Sequence, residues 1–310
     1  MFQFFITMII LSAAVAENCI GDGQINDAHD NCVCDASKSW FGTTKCGQFS
    51  TFTSDGALDE NWSTCPEGVV DLKNSEIVNV GNSFQGCNKV TEVLLPPDIS
   101  EVHVNAFKGC TSLTFVTFPA NLHTIGKFAF HGTNIKEIDL SSTQVYEVDQ
   151  SRFNCNTLEK ITFSSKQNVI SEIAFMECKS LKEVVLTNVL HIQDKAFYNI
   201  PSLKVVKMPS VKEISARAFQ YTGIETIMFP NSLQLVGIHA FSDTPVTTLD
   251  FRETILGLLT RICDNCVKLE QLLLPETMHT LYEAYFPNSE SLKEFHFPSC
   301  LQNIENIFTP

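Results

Sequence analysis

Long apolar runs are nearly absent from this chain, and so are the short motifs that announce catalysis. One apolar stretch opens the sequence, from Phe2 to Leu11, and it is too short for a bilayer span, which takes roughly twenty residues. Ala14-Val15-Ala16 follows as a small-x-small cleavage site, so residues 1–16 read as a secretory signal peptide, although no Lys or Arg precedes the run. No other window approaches a span, and Asn306 to Pro310 carry no hydrophobic tail for a lipid anchor. The mature chain is therefore expected to be secreted or extracellular, with no membrane span. No H-E-x-x-H, G-x-S-x-G or phosphate-loop glycine motif occurs, and the eight histidines are scattered. Positive charge is scarce: 21 Lys and Arg face 35 Asp and Glu, a formal charge of −14 that repels phosphate backbones. No nucleic-acid partner is expected.

What the chain has instead is a period. Phe84, Phe107, Phe130, Phe153, Phe175, Phe197, Phe219, Phe241, Cys263, Phe286 and Phe308 follow one another at steps of 22 or 23 residues. A fixed period of this length means one supersecondary unit stacked many times, a solenoid. Each unit opens with two apolar columns spaced by two, such as Val184 and Leu186, or Val206 and Met208. That is strand periodicity, and both columns point into one core. Proline ends the strand in six units, for example Pro96, Pro209 and Pro275. The second half of the unit carries a looser apolar position (Ile192, Ile214, Val236) and then, in six units, Ala before the periodic Phe. Cys, Thr or Ser often follows three residues later, which suggests a single helical turn; no unit has room for a long helix.

The pattern L-x-x-V-x-Φ-P, then I-x-x-x-A-F-x-x-C-x-x-L, resembles the leucine-rich repeat of BspA-like surface antigens, sometimes called the Treponema-type repeat. Thr91 to Leu113 matches it almost column by column, and the resemblance covers about residues 67–310 in about eleven units. It implies a right-handed, β-rich superhelix displayed outside the cell, with adhesion and binding of host or matrix proteins as the associated roles. The expected organisation is a signal peptide (1–16), a Cys-rich head or cap (17–66) and a leucine-rich-repeat solenoid (67–310).

Five of the twelve cysteines lie in the head: Cys19, Cys32, Cys34, Cys46 and Cys65. Five is odd, and Cys87 in the first repeat is the nearest outside partner, so these six are the disulfide candidates. A tied cap is physically required, because an open solenoid end exposes its core. Cys87, Cys110, Cys178 and Cys266 share one column. Strand layers lie roughly 4.8 Å apart, more than the β-carbon separation a disulfide prefers, so Cys87 and Cys110 are expected to stack as thiols. Cys263-x-x-Cys266 reads as a buried pair or a local disulfide; a secreted thiol-redox enzyme built on it is the rival reading. Zinc would need a second pair, and the acidic group Asp22, Asn26, Asp27 and Asp30 lacks calcium-loop spacing, so no metal or cofactor is expected. Asn61-Trp62-Ser63 is the one N-glycosylation sequon.

The outward column between the two inward ones, and its neighbour two places earlier, refuse to repeat. They include Leu94, Phe115, Thr117, Asp139, Val185, Val205, Lys207, Met228, Asp250, Leu273 and His296. Parallel strands line one face, and outward Leu, Phe, Val and Met are unusual for a face meant only for water. We read this face as the ligand-binding surface of a noncatalytic protein of the adhesin or surface-antigen type, with a protein or matrix ligand. A structural coat protein is the other alternative. The last unit, 293–310, lacks a cap sequence, which points to end-to-end self-association or to a tail folded back over the core, in preference to local fraying.

Overall fold

The computed structural model describes residues 24–26, 32–34, 65–74, 77–282, 286, 288–301 and 303–305. The proposed signal peptide, Cys19, Cys46, Asn61 and Phe308 lie outside these residues. Strand Gln24–Asn26 pairs antiparallel with Cys32–Cys34. The chain divides into two compact units, one holding residues up to 121 with 126–133, the other 122–125 with residues from 134 onward.

In the first unit the front strands Gly68–Asp71, Val90–Leu94 and Phe115–Val116 pair in parallel, aligning Val70, Val93 and Val116. Asn79–Val80 and Glu101–Val102 pair in parallel behind them. In the second unit Glu137–Asp139, Lys160–Thr162, Glu183–Val185 and Val205–Lys207 form one front sheet. Thr248–Asp250, Gln271–Leu273 and Glu294–His296 form another. A seven-stranded parallel back sheet runs from Val169–Ile170 to Asn303–Glu305. The looser apolar position of most repeats is thus a second strand; Ile192, Ile214 and Val236 are its inward residues.

The periodic phenylalanines fill the space between front and back. In the first unit Phe84, Phe107 and Phe130 stack with ring centroids 5.0 and 5.2 Å apart. In the second, Phe175, Phe197, Phe219 and Phe241 stack at 5.6, 5.5 and 5.6 Å. All of these rings are fully buried. The alanines before Phe197, Phe219 and Phe241 offer their carbonyls to the preceding turn: Phe175, Phe197 and Phe219 donate their N–H to Ala196, Ala218 and Ala240. The Thr that follows by three is explained as well. Thr222 and Thr244 donate their buried hydroxyls to the carbonyls of Phe219 and Phe241 at 2.8 and 2.7 Å.

The expected helical turn is mostly not there. Short 3-10 helices occur at Asn82–Phe84 and Gln150–Arg152, while other repeats carry chained turns. Left-handed residues break them, two before the Phe (Lys195, Arg217, His239) and two after it (Asn199, Tyr221, Asp243). Alternate amides then point to different partners. Ala196 and Tyr198 donate within their own turn, to Gln193 and Lys195, whereas Lys195, Phe197 and Asn199 donate to Ala216, Ala218 and Gln220 of the next. Stacking, not helix propagation, satisfies this backbone.

Candidate binding face

The strand rule places the outward columns on the surface, and packing between neighbouring turns then decides which side chains are available. In the first unit Phe115 is 50 % exposed. Leu94 is half-buried, and the hydroxyl of Thr117 accepts the N–H of Leu95 at 2.6 Å, so both are partly spent on the fold. In the second unit Val205 and Met228 are 43 % and 87 % exposed, Val185 is half-buried, and Leu273 is only 7 % exposed. Leu273 is therefore a correction: an outward strand position covered by its surroundings and not a ligand contact.

The charged members are held by their own chain. Lys160 and Lys207 clamp Glu183 at 3.4 and 2.8 Å, and Lys136 and Lys182 clamp Glu159 in the same manner. Lys207 holds the Glu183 carboxyl below its usual range, and Lys182 does so for Glu159. Such exposed pairs contribute little each, but they hold these side chains to one another along the front sheet. Asp139 accepts the N–H of Ser141 at 2.9 Å. Asp250 is gripped by Arg252 at 2.7 Å, which lowers its pKa. His296 pairs with Glu276 at 3.0 Å. The open anchors that remain among the expected residues are apolar: Phe115 in one unit, Val205 and Met228 in the other.

Met228 marks a feature that the outward columns do not announce. Thr226–Met228 occupies a front-strand position but forms no strand, and the front sheet stops at Val205–Lys207. Beside the stop lies a groove of about 960 Å³, with Val185, Val205, Pro209, Met228 and Phe229 among its walls. The length of the link does not mark this gap: eight residues lead from Phe219 to inward Ile227, and eight also lead from Phe130 to Ile138 and from Phe241 to Leu249, where front strands form. The link after Phe219 crosses the preceding turn at Gly223, where a β-carbon would sit 2.2 Å from the Pro201 carbonyl oxygen.

The chemistry of the rival reading is visible too. Cys263 and Cys266 form a disulfide with a Cα separation of 5.7 Å, and both residues are fully buried. A redox nucleophile needs an accessible thiolate, which this pair does not offer. His239 lies 3.2 Å from Ser242 and 3.3 Å from Asp264, but both approach the same ring nitrogen, Nδ1. A hydrolytic triad puts serine and carboxylate on opposite nitrogens. Cys65–Cys87 is also bonded, as the odd head cysteine required, with a Cα separation of 5.1 Å. Cys155–Cys178 is bonded at 4.6 Å and was not anticipated. Both join adjacent turns, so the layer spacing does not forbid a disulfide; their Cα separations fall in the ordinary disulfide range. Cys110 is a free thiol because Cys87 is taken, and burial pushes its pKa up to about 12. Among the described residues no group of three or more His, Cys, Asp or Glu could hold a metal. No described helix is long and apolar enough to cross a membrane.

Comparison with known proteins follows the repeat. The family model described as "BspA type Leucine rich repeat region" matches six copies over residues 80–204 and 190–308. Among solved structures, a leucine-rich repeat protein from Bacteroides ovatus is 19 % identical, covering 83 % of this chain and 88 % of that one, with a TM-score of 0.46. A leucine rich cell surface protein from Faecalibacterium prausnitzii is 18 % identical, covering 86 % and 94 %, with a TM-score of 0.37. No curated protein matches the sequence.

Proposed function

We propose that this chain, which belongs to the BspA-type leucine-rich-repeat family, is a secreted or cell-surface noncatalytic protein that binds protein or extracellular-matrix ligands through its front strands. The observation that carries this reading is the exposure of Phe115, Val205 and Met228 on strand-face positions, while Lys160 and Lys207 beside Val205 are held by Glu183. Exposed apolar anchors among fixed polar neighbours are what a protein interface needs. Binding of the mature chain to a panel of purified matrix proteins tests it. Val205→Ser with Met228→Ser should leave the fold intact and weaken binding about tenfold or more. Unfolding of the double variant, or unchanged binding, would sink the reading.

The same reading includes export. Secretion should remove residues 1–16, so mass spectrometry of the exported protein should find Glu17 at its amino terminus, and in a glycosylating host a glycan at Asn61. Self-association through 293–310 completes the proposal.

A further inference from the structure

We infer that the interruption of the front sheet at Val205–Lys207 is a receptor for an extended peptide segment that carries apolar residues and a carboxylate. The inference rests on the proposed binding function and narrows it to one place and one kind of ligand. Three observations meet there. The first is a free strand edge. Val205 donates its N–H to Lys182, and Leu186 donates to the carbonyl of Lys207, so both ends of this strand are paired on one side. Alternate residues of a parallel strand turn to opposite neighbours, so the N–H and C=O of Val206 face the gap. Among the described residues no backbone hydrogen bond joins Lys204–Met208 to Glu225–Phe229. An unpaired edge is a template for another strand, and its main-chain groups bind a peptide irrespective of side-chain identity.

The second observation is the groove of about 960 Å³ beside that edge, whose apolar walls include Val205, Met228 and Phe229. It offers places for alternate apolar side chains of a strand laid along it. The third is charge. Lys160, Lys182 and Lys207 are each committed to a glutamate. Lys204 also lines the groove and is exposed, and it makes no ion pair among the described residues. An ammonium left free beside a strand edge selects a ligand carboxylate.

The test pans a random peptide library on the full chain and measures the selected peptides by calorimetry. Selected peptides should alternate apolar residues with at least one Asp or Glu. Methylation of alternate peptide amides should weaken binding about tenfold or more, and so should Lys204→Glu or Met228→Asp in the protein. Both residues are exposed, so melting curves of the variants should match the parent. No selected peptide, or peptides indifferent to amide methylation and to both variants, would overturn the inference. A matrix protein whose binding falls with Val205→Ser and Met228→Ser, but is untouched by Lys204→Glu and by competing selected peptide, would overturn this site while leaving the strand-face function standing.

Discussion

Single side chains show how much of this protein is set by what stands one turn above and below. Phe197 is buried between Phe175 and Phe219, with ring planes nearly parallel to both. Phe197→Ala should cost about 3–5 kcal/mol through the cavity it leaves, with a corresponding drop in thermal midpoint. A variant that melts with the parent would show that the ring is not interior. Glu276 makes the same point for a surface group. It accepts hydrogen bonds from the hydroxyl and N–H of Ser299, at 2.8 and 2.9 Å, and pairs with His296. These bonds lower its pKa from 4.5 to about 2. Because the folded value lies below the unfolded one, the linkage favours folding above about pH 4.5 and is lost as pH falls toward 2. A carboxyl-carbon titration by NMR should place its midpoint near 2, and Ser299→Ala should move that midpoint upward.

At the scale of the element, the front strand was legible because its two inward columns are uniform: Val184, Val206 and Leu249 are all buried as the spacing of two requires. The Phe column was legible for the same reason. The back strand was less so. It contributes one inward residue per turn over two-residue strands such as His191–Ile192, too short for alternation to show. The spacing of three showed a short turn but not its kind: two repeats form a 3-10 helix there and others form chained turns. What prevents the helix is a left-handed backbone at positions such as Lys195, Arg217 and Tyr221, residue types that carry no mark of it. On the front-strand face the outward positions follow from the spacing, but their availability does not. Leu273 is covered, and Lys207 is spent on Glu183, and neither follows from one strand alone. The gap beside Val205–Lys207 was not legible, because the link from Phe219 to Ile227 has the same eight-residue length as the link from Phe241 to Leu249, where a strand forms.

For the molecule as a whole, repetition makes the ends the weak points. A turn inside a solenoid is covered on both sides, and a terminal turn needs a cap to shield what its neighbour would have covered. At the amino-terminal side the Cys65–Cys87 disulfide ties the first repeat to the residues before it. Toward the other side, Phe297 is 43 % exposed although its column is buried in most earlier turns, and it packs on Phe295 with ring centroids 4.3 Å apart. The back strand Asn303–Glu305 pairs with Thr280–Tyr282 and with no further strand among the described residues. Exposed aromatics beside an unpaired strand edge favour meeting the same surface of a second copy. The net charge of −14 opposes that encounter at low salt, and screening shortens the repulsion to about 8 Å at physiological ionic strength. Self-association should therefore rise with both protein and salt concentration when followed by light scattering. Phe297→Glu should suppress it without moving the thermal midpoint, since the ring is already half in solvent. A monomer at every concentration and salt, with rapid hydrogen exchange across 293–301, would show instead that this last turn frays.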